Sequence, residues 1–537
     1  MVRSHDGIGI ALSLLLPGAA ALAVLPAQAR SQAPVVASAD GANEKSSSKE
    51  ENKKNSDKSD RADKETTESE AEASDGKALS EAERQRRQTL IEADELYRAG
   101  KREAAQQRYR QAKAPFASAQ PAEAAKADDP YSDAAELPPG GQVYWRNYQQ
   151  GQKQQLESKV LASLQLLVKK HPTFIPGHLQ YAQVLAQRDR HDRAIQVLER
   201  ALDRYPDQPK LVRATVESYA QAERWLQGSI VARRFALTHP DHPQADTFRD
   251  LADKQLERQQ EYLRAEMRTN AIANLFTGAL SYGLTGSLLG PLSAAESAAL
   301  LLRGESSVGE QIAEGAREQL PMVEDEAVVN YVRDLGNEVA RYTGRDEFDY
   351  QFYVVKDEHL NAFALPGGKV FVHAGALTEA ESKAELAGLL AHELAHAALS
   401  HGFQRVTQGN LTANLTEFLP LGGTAANLLV LDYTRDTERE ADLVGTRILA
   451  ASQYAADGLY GFMKTVEAQA DDRPPVWLAS HPKPGDRARN IKQAIVSHGY
   501  NRYAYEGVAE HQKIQTQVEA IIEQCKQSGE CGKQQEQ

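Results

Sequence analysis

The sequence predicts a mainly helical protein with one small β-sheet, an α+β fold in which a region of helical repeats precedes the domain that holds the sheet. Three observations carry this prediction. Pro172, Pro206 and Pro240 lie 34 residues apart, and each ends a helical pattern. Helical periodicity also covers most of the later chain. Alternation typical of strands is limited to Phe348–Lys356 and Asn361–Val372.

Composition excludes several classes of protein. The 537 residues are enough for about three domains. The 75 acidic and 62 basic side chains leave a net charge of −13, which argues against nucleic acid as a partner because phosphate binding needs concentrated Lys and Arg. The two cysteines, Cys525 and Cys531, cannot form a disulfide scaffold or a Cys-based metal module. A single disulfide bond between the two is compatible with the sequence.

The first residues have the features of an export signal. Arg3 precedes an uncharged stretch, Gly7–Ala29, which ends in Ala27-Gln28-Ala29. A basic start, an apolar middle and small residues at the end are typical of a cleaved signal peptide. We therefore expect a periplasmic protein, with a secreted or a membrane-anchored one as alternatives. The polar segment that follows, 30–80, has almost no apolar residue and is predicted to be disordered.

The proline-spaced region predicts pairs of packed helices. Small and apolar residues precede Pro206 at helical spacing, and the 34-residue period resembles tetratricopeptide repeats. Such repeats offer a concave surface for a peptide or a protein partner. The alternative is a scaffold that only supports the next domain.

An apolar stretch separates the repeats from the rest of the chain. Thr269–Ala295 has no charged residue, but glycines and polar residues interrupt it. We expect a helical hairpin that is buried or makes a peripheral membrane contact, rather than a membrane span.

The pattern His392-Glu393-Leu394-Ala395-His396 carries the predicted chemistry. It lies in an apolar helix predicted over Glu379–Ser400 and ended by Gly402. Residues four apart stack one turn above each other on a helix, so both imidazoles can bind one Zn²⁺ while Glu393 reaches the attacking water. The sequence therefore predicts one zinc ion per chain, with His392 and His396 as ligands and Glu393 as the catalytic base.

A third ligand is needed, and it must come from elsewhere in the chain. His401 is expected to point away from the pair and to interact with the end of its own helix. Downstream, Glu438 and Asp442 share one helix face, so Glu438 could bind zinc while Asp442 orients a ligand imidazole. By spacing alone, Glu440 is an alternative ligand.

Residues 305–500 resemble the HtpX/BepA-type family of zinc metalloproteases. Four stretches match: Asn361–Gly368, the His392–His396 motif, Glu438 with Asp442, and Ser480-His481-Pro482 with Arg487. The resemblance implies a zincin-type fold with Glu438 as the third zinc ligand. It also implies that His481 can approach zinc as a switch and that Arg487 stabilises the tetrahedral intermediate. In known BepA-like members the repeats follow the protease, whereas here they precede it.

The predicted organisation is a signal peptide (1–29), a disordered segment (30–80), a tetratricopeptide-like hairpin (81–114), a linker (115–141), tetratricopeptide-like repeats (142–266), an apolar helical hairpin (267–303), a zinc metalloprotease domain (304–505) and a C-terminal helix or tail (506–537).

Two segments are candidates for handling the substrate. The strand after Gly368, Lys369–Val372, could pair with an extended substrate, so we expect Asn361, Gly368 and Val370 to contact it. An ordinary interior strand is the alternative. Residues 403–433 contain leucine-rich and glycine-rich patches, including Phe418–Gly423, and could form a lid, a plug or a membrane-facing hairpin.

These features together predict an exported zinc endopeptidase that hydrolyses misfolded or misassembled envelope proteins recruited by the repeats. The outer-membrane assembly machinery is an expected partner. The main alternative is a periplasmic chaperone or assembly adaptor with a latent protease site. An intramembrane prenyl protease is disfavoured because the chain lacks several apolar spans.

Overall fold

A computed structural model describes residues 80–116, 129–277, 302–408, 433–470, 477–481 and 485–528, all within one compact unit that begins at Lys77. The predicted signal peptide and nearly all of the predicted disordered segment lie outside these residues. So do most of the apolar hairpin, the centre of the 403–433 segment, and Cys531.

The first part of the described chain is built mainly from α-helices. They are α1 (Glu81–Arg98), α2 (Arg102–Ala112), α3 (Pro139–Lys153), α4 (Glu157–Lys170), α5 (Ile175–Ala186), α6 (His191–Arg204), α7 (Pro209–Gln221), α8 (Trp225–Thr238) and α9 (Ala245–Thr277).

The proline spacing marks the ends of every second helix. α4, α6 and α8 end two residues before Pro172, Pro206 and Pro240. Proline cannot donate a backbone hydrogen bond, and it disfavours helical geometry in the residue before it. The predicted repeats of paired helices are therefore confirmed.

Two predicted borders differ from the structure. α3 begins at Pro139, inside the predicted linker, because proline is well tolerated in the first turn of a helix. α9 runs without a break across position 266, where the apolar hairpin was predicted to follow the repeats. Among the helices of the described residues, none is both long and apolar enough to cross a membrane.

The second part of the chain combines helices with the sheet. Its elements are α10 (Glu305–Gln319), α11 (Glu326–Ala340), β1 (Gln351–Val355), β2 (Ala362–Leu365), β3 (Lys369–His373), α12 (Ala374–Glu379), α13 (Lys383–Ala398), α14 (His401–Gln408), α15 (Arg435–Ala451), α16 (Gly458–Ala470), α17 (Trp477–Ser480), α18 (Gly485–Ser497) and α19 (Val508–Ser528). The mainly helical α+β fold is thus confirmed.

The sheet has the order β1-β3-β2, with β1 parallel and β2 antiparallel to β3. The turn between β2 and β3 contains Gly367 and Gly368 at φ of 71° and 84°, a conformation that favours glycine. Both edges of β3 are occupied, so the prediction that Val370 pairs with a substrate strand is wrong. The interior-strand alternative is correct.

The predicted helix Glu379–Ser400 is not continuous: it covers the last residue of α12, a break, and the whole of α13. α12 ends at Glu379, and Ser382 caps a new helix, α13, by accepting a hydrogen bond from the Glu385 N–H at 3.2 Å. The far end is set by Ser400 at φ of 57°, and α14 starts directly after it. Gly402 therefore lies inside the next helix instead of ending the first.

α13 is the centre of the core. Its residues from Ala384 to Ala398 are all buried. A single hydrophobic cluster surrounds it and includes side chains of the sheet, α15, α16 and also α8, the last helix of the repeats. The repeats and the second part of the chain therefore share one core at α8.

Candidate metal centre

Four buried side chains meet at one point: two come from α13, one from α15 and one from His481, the residue after α17. The donor atoms of His392, His396, Glu438 and His481 all lie within 4.8 Å of one another. Nε2 of His392 lies 3.2 Å from Nε2 of His396, and the latter lies 3.2 Å from Oε1 of Glu438. Each of the four residues is at most 1 % exposed.

The local sequence explains how these side chains meet. His392 and His396 are one turn apart on α13, so their rings stack on one face. Thr434 caps the start of α15 by accepting a hydrogen bond from the Thr437 N–H at 3.3 Å, and Glu438 lies in the first turn of that helix. α15 approaches α13 closely because Gly445 leaves room for the backbone of His392.

Glu393 lies beside this cluster and is fixed by two donors. Its Oε2 accepts a hydrogen bond from the backbone N–H of Ala364 at 3.1 Å, and its Oε1 accepts one from the indole of Trp477 at 3.3 Å. Burial raises the pKa of Glu393, although the charges of His481 and His392 act in the opposite direction.

Asp442 and Arg487 form the outer layer of the site. Asp442 Oδ1 lies 3.1 Å from Nδ1 of His392, on the side of the ring away from the cluster. Arg487 donates to both oxygens of Asp442, at 2.8 and 2.7 Å, and its Nη1 lies 2.6 Å from Oε2 of Glu438. Through these contacts Arg487 fixes the carboxylates of Asp442 and Glu438 in place. Its predicted contact with a tetrahedral intermediate stays a prediction.

The electrostatics suit a divalent metal. Burial alone would raise the pKa of Glu438, but His481 and Arg487 outweigh it and hold that pKa well below its usual range, so the group is an anion. Burial also lowers the pKa of His396, which keeps the imidazole neutral as a metal ligand requires. Imidazole nitrogens with one carboxylate favour a transition metal over the all-oxygen sites of Ca²⁺ and Mg²⁺. The residues present therefore fit such an ion.

The structure gives three predicted or alternative residues other surroundings. Glu440 points away from the cluster, toward His401 and Arg234, so it is not a ligand. The prediction that His401 interacts with the end of its own helix is wrong. Its Nδ1 instead lies 3.0 Å from Nδ1 of His396. Gly368 packs against the ring of Tyr350, where a Cβ atom would lie within 2.6 Å of that ring.

Two aromatic residues of the site were not found from the sequence. The ring of Tyr433 stacks on His396 with centroids 3.9 Å apart, and the indole of Trp477 stacks on His481 at 4.4 Å. Tyr433 stands directly before the Thr434 helix cap, and Trp477 stands four residues before His481. The only indication in the sequence that these two aromatic residues belong to the site was their closeness along the chain to residues already predicted for it. The remaining candidate, Asn361, lies just before β2, and its amide nitrogen is 3.5 Å from Nε2 of His373.

Comparison with known protein families decides the class of the domain. Residues 326–495, which contain every residue of the cluster, match peptidase family M48. The chain contains an M48 peptidase domain. The predicted metalloprotease class is thereby confirmed, and M48 metalloproteases depend on a metal. Residues 176–218 match a tetratricopeptide repeat, which confirms the predicted repeat type.

Several curated proteins resemble the M48 domain and its surroundings. The beta-barrel assembly-enhancing protease of Yersinia pestis is 26% identical over 255 residues, which is 42% of this chain and 52% of that protein. The protein of that name from Escherichia coli K12 is 23% identical over 254 residues, with the same two shares. Metalloprotease YcaL of Escherichia coli K12 is 27% identical over 234 residues, which is 41% of this chain and 87% of YcaL. The chain thus spans about half the length of the first two relatives.

Proposed function

We propose that this protein is an exported zinc endopeptidase that cleaves misfolded or misassembled envelope proteins. The observation that carries the proposal is the convergence of His392, His396 and Glu438 with Glu393 beside them, inside an M48 domain. Two imidazoles and one carboxylate that leave a position open are the ligand set of catalytic zinc sites.

The chain's own residues supply the proton transfers. Zinc held by His392, His396 and Glu438 would polarise the scissile carbonyl and make water more acidic. Glu393 takes a proton from the attacking water on a carboxylate oxygen and then delivers it to the leaving amine. The Ala364 N–H and the Trp477 indole hold the carboxylate in position for both transfers.

The edge of the sheet at β2 is the proposed place for the substrate backbone. β2 pairs with β3 on one side. On its other side, the N–H of Ala364 reaches Glu393. An extended peptide added along this edge would place a peptide bond at the metal. Extended segments of this kind are exposed in unfolded proteins. Asn361, just before β2, would lie beside the bound peptide.

His481 provides a latent state in this proposal. Its Nδ1 lies 2.8 Å from Oε1 of Glu438 and 3.5 Å from Nε2 of His392, within the group of donor atoms. A fourth protein ligand would occupy the position that water needs. We therefore expect His481→Ala to hydrolyse an unfolded protein such as casein faster than the wild type, while an inactive variant would make His481 a required residue.

The cellular role is proposed from the relatives and the N-terminus. Two relatives are named for enhancing β-barrel assembly, and residues 1–29 have the features of a signal peptide. Together these support a periplasmic enzyme whose repeats recruit misassembled outer-membrane proteins, with the assembly machinery as partner.

An adaptor that only binds is the second candidate, and the closeness of His481 to the ligand cluster favours it. Complementation separates the two candidates. If Glu393→Gln restored a deletion strain as fully as the wild type does, binding rather than hydrolysis would be the function.

Glu393→Gln tests the hydrolysis directly. We expect this variant to keep its zinc and to lose about 10²–10⁴-fold in kcat, because it removes the proton acceptor. Glu385→Gln is the matched control, since it makes the same change on the same buried helix away from the cluster. Equal turnover by zinc-loaded wild type and Glu393→Gln would refute the proposal.

A further inference from the structure

His401, which is buried, and Glu440, which is mostly buried, lie beside the metal centre without belonging to its donor cluster. Nδ1 of His401 lies 3.0 Å from Nδ1 of His396, and Nε2 of His401 lies 3.2 Å from Oε2 of Glu440. His401 has no exposed surface. The two residues thus extend from the back of the His396 ring, opposite the nitrogen that faces Glu438.

The direction of each hydrogen bond follows from metal binding. When Nε2 of a neutral imidazole binds a metal, its Nδ1 carries the proton and becomes a donor. Nδ1 of His401 must then accept that proton's hydrogen bond, so His401 carries its own proton on Nε2 and donates it to Glu440. The Glu440 carboxylate selects this tautomer, since it can only accept.

Each of the two metal histidines is therefore backed by a carboxylate, and both carboxylates come from the same helix. His392 meets the carboxylate of Asp442 directly at 3.1 Å, whereas His396 reaches the carboxylate of Glu440 through His401. Carboxylates behind ligand imidazoles orient the ring and raise its basicity. Both carboxylates belong to α15, which also carries Glu438.

Glu440 has a second partner in the repeats. The guanidinium of Arg234, on α8, pairs with Oε1 of Glu440, and both side chains are mostly buried. α8 is itself fixed, because Ile230 and Leu237 pack into the core of the M48 domain while Phe235 packs into the core of the repeats. Arg234 is thus held on a helix that belongs to both regions.

We propose that His401 and Glu440 are positioning residues that orient His396 for metal binding, and that Arg234 links this orientation to the last repeat. The inference rests on the proposed zinc-dependent function and extends it. Zinc affinity would then depend on how α8 packs, so the repeats would do more than recruit substrate.

Zinc affinity, measured on the full chain by competition with a chromophoric chelator, is the main readout. Second-sphere partners of metal ligands typically contribute about 10–100-fold to affinity, so we expect a loss of this size in His401→Ala. His401→Asn should recover most of it, because Oδ1 of Asn takes the place of Nδ1 and accepts from His396. His401→Gln places its amide farther out and should not recover it.

Two further variants test Glu440 and Arg234, the residues that connect His401 to the repeats. Glu440→Gln should weaken zinc binding, and adding it to His401→Ala should cause little further loss, because both act through His396. Arg234→Ala should weaken zinc binding at least about twofold. Arg234 and Arg439 both line a cavity of about 330 Å³. Arg439→Ala is the matched control, since Arg439 lies on α15 and pairs with the exposed Asp436 instead of Glu440.

A spectroscopic signature distinguishes positioning from simple loss of stability. The visible absorption of the cobalt-substituted protein should change in His401→Ala and return toward the wild-type spectrum in His401→Asn. If His401→Ala does not fold, His401→Asn against His401→Gln and Glu440→Gln against the wild type decide the matter.

The outcomes separate this inference from the proposed function. A wild-type protein that binds no zinc would defeat the proposed function. A zinc-binding wild type whose affinity is unchanged in His401→Ala or in Glu440→Gln would overturn only the positioning roles. Arg234→Ala with the affinity of Arg439→Ala would overturn the link to the repeats.

Discussion

Ser400 adopts a left-handed backbone conformation between α13 and α14, at φ of 57°. For a residue with a Cβ atom this conformation costs about 1–2 kcal/mol. Its hydroxyl group donates to Oε2 of Glu305 at 2.7 Å and accepts from Nη1 of Arg345 at 3.0 Å. These contacts stabilise the break that turns His401 back toward His396. The prediction that the helix continues through Ser400 therefore made His401 point away from the histidine pair.

We expect Ser400→Ala to lower the free energy of unfolding by about 1–3 kcal/mol, because Glu305 and Arg345 lose a buried partner. Urea denaturation measures this change. Ser307→Ala, which removes an exposed hydroxyl, should have little effect. Equal unfolding free energies for the two variants would contradict the role given to Ser400.

Glu385 makes stability depend on pH. Burial raises its pKa to about 8, and the charge of Glu381 acts in the same direction, whereas the ordinary pKa of 4.5 applies in the unfolded chain. Between these values the folded protein holds a proton that the unfolded chain has lost, so Glu385 makes stability fall as pH rises.

Glu385→Gln should therefore show a smaller fall of Tm between about pH 5 and about pH 8 than the wild type does. Thermal unfolding at a series of pH values measures this difference. Parallel curves for the two proteins would show that Glu385 titrates in the folded state as it does in the unfolded chain.

At the scale of elements, the close approach of α13 and α15 builds the metal centre. A Cβ atom at Gly445 would lie 3.0 Å from the carbonyl oxygen of Ala391 and from two backbone atoms of His392. Backbone atoms within a helix cannot easily move aside. The absence of a side chain at this position therefore fixes the distance between the histidine pair and Glu438.

Gly445→Ala should destabilise the fold by about 1–3 kcal/mol and weaken zinc binding, because α15 must shift outward with Glu438 and Asp442. Denaturation and chelator competition on the same sample measure both effects. Gly140→Ala, where a Cβ atom meets nothing within 4 Å, is the control. An unchanged zinc affinity in Gly445→Ala would contradict this account of the helix spacing.

Local patterns predicted those elements whose signals are local. The two strands around the Pro366-Gly367-Gly368 turn and the proline-spaced helix ends are visible in the sequence, as is the His392–His396 pattern. Which strand is central was not visible, because strand order depends on partners far along the chain. The contacts of His401 and Glu440 also escaped prediction, since they need a helix break held by Glu305 and Arg345 from other elements.

At the scale of the whole molecule, the hairpin of α1 and α2 is joined to residues around the start of α19. Asp94 on α1 accepts backbone hydrogen bonds from Glu506 and Val508, both at 2.9 Å, and one from the hydroxyl of Tyr109 at 2.6 Å. Lys113 forms buried ion pairs with Glu506 and with Asp457. Because these partners are hundreds of residues away, the hairpin could be predicted from the sequence but its place could not.

Asp94→Ala should lower the stability of the protein by about 1–3 kcal/mol and make α1 and α2 more accessible to protease, because buried backbone donors lose their acceptor. Limited proteolysis with thermal unfolding measures both effects. Asp192→Ala, which breaks an exposed pair with Arg224, is the control. If both variants resist protease equally, the hairpin is held by other contacts.

Zinc content, measured by elemental analysis after dialysis of wild type and Glu438→Ala, tests most directly whether a distant carboxylate completes the histidine pair. We predict one zinc ion per chain in the wild type, a large loss in Glu438→Ala, and no loss in Asp436→Ala, which changes an exposed carboxylate on the same helix. Equal zinc in the wild type and Glu438→Ala would contradict the metal centre on which this account depends.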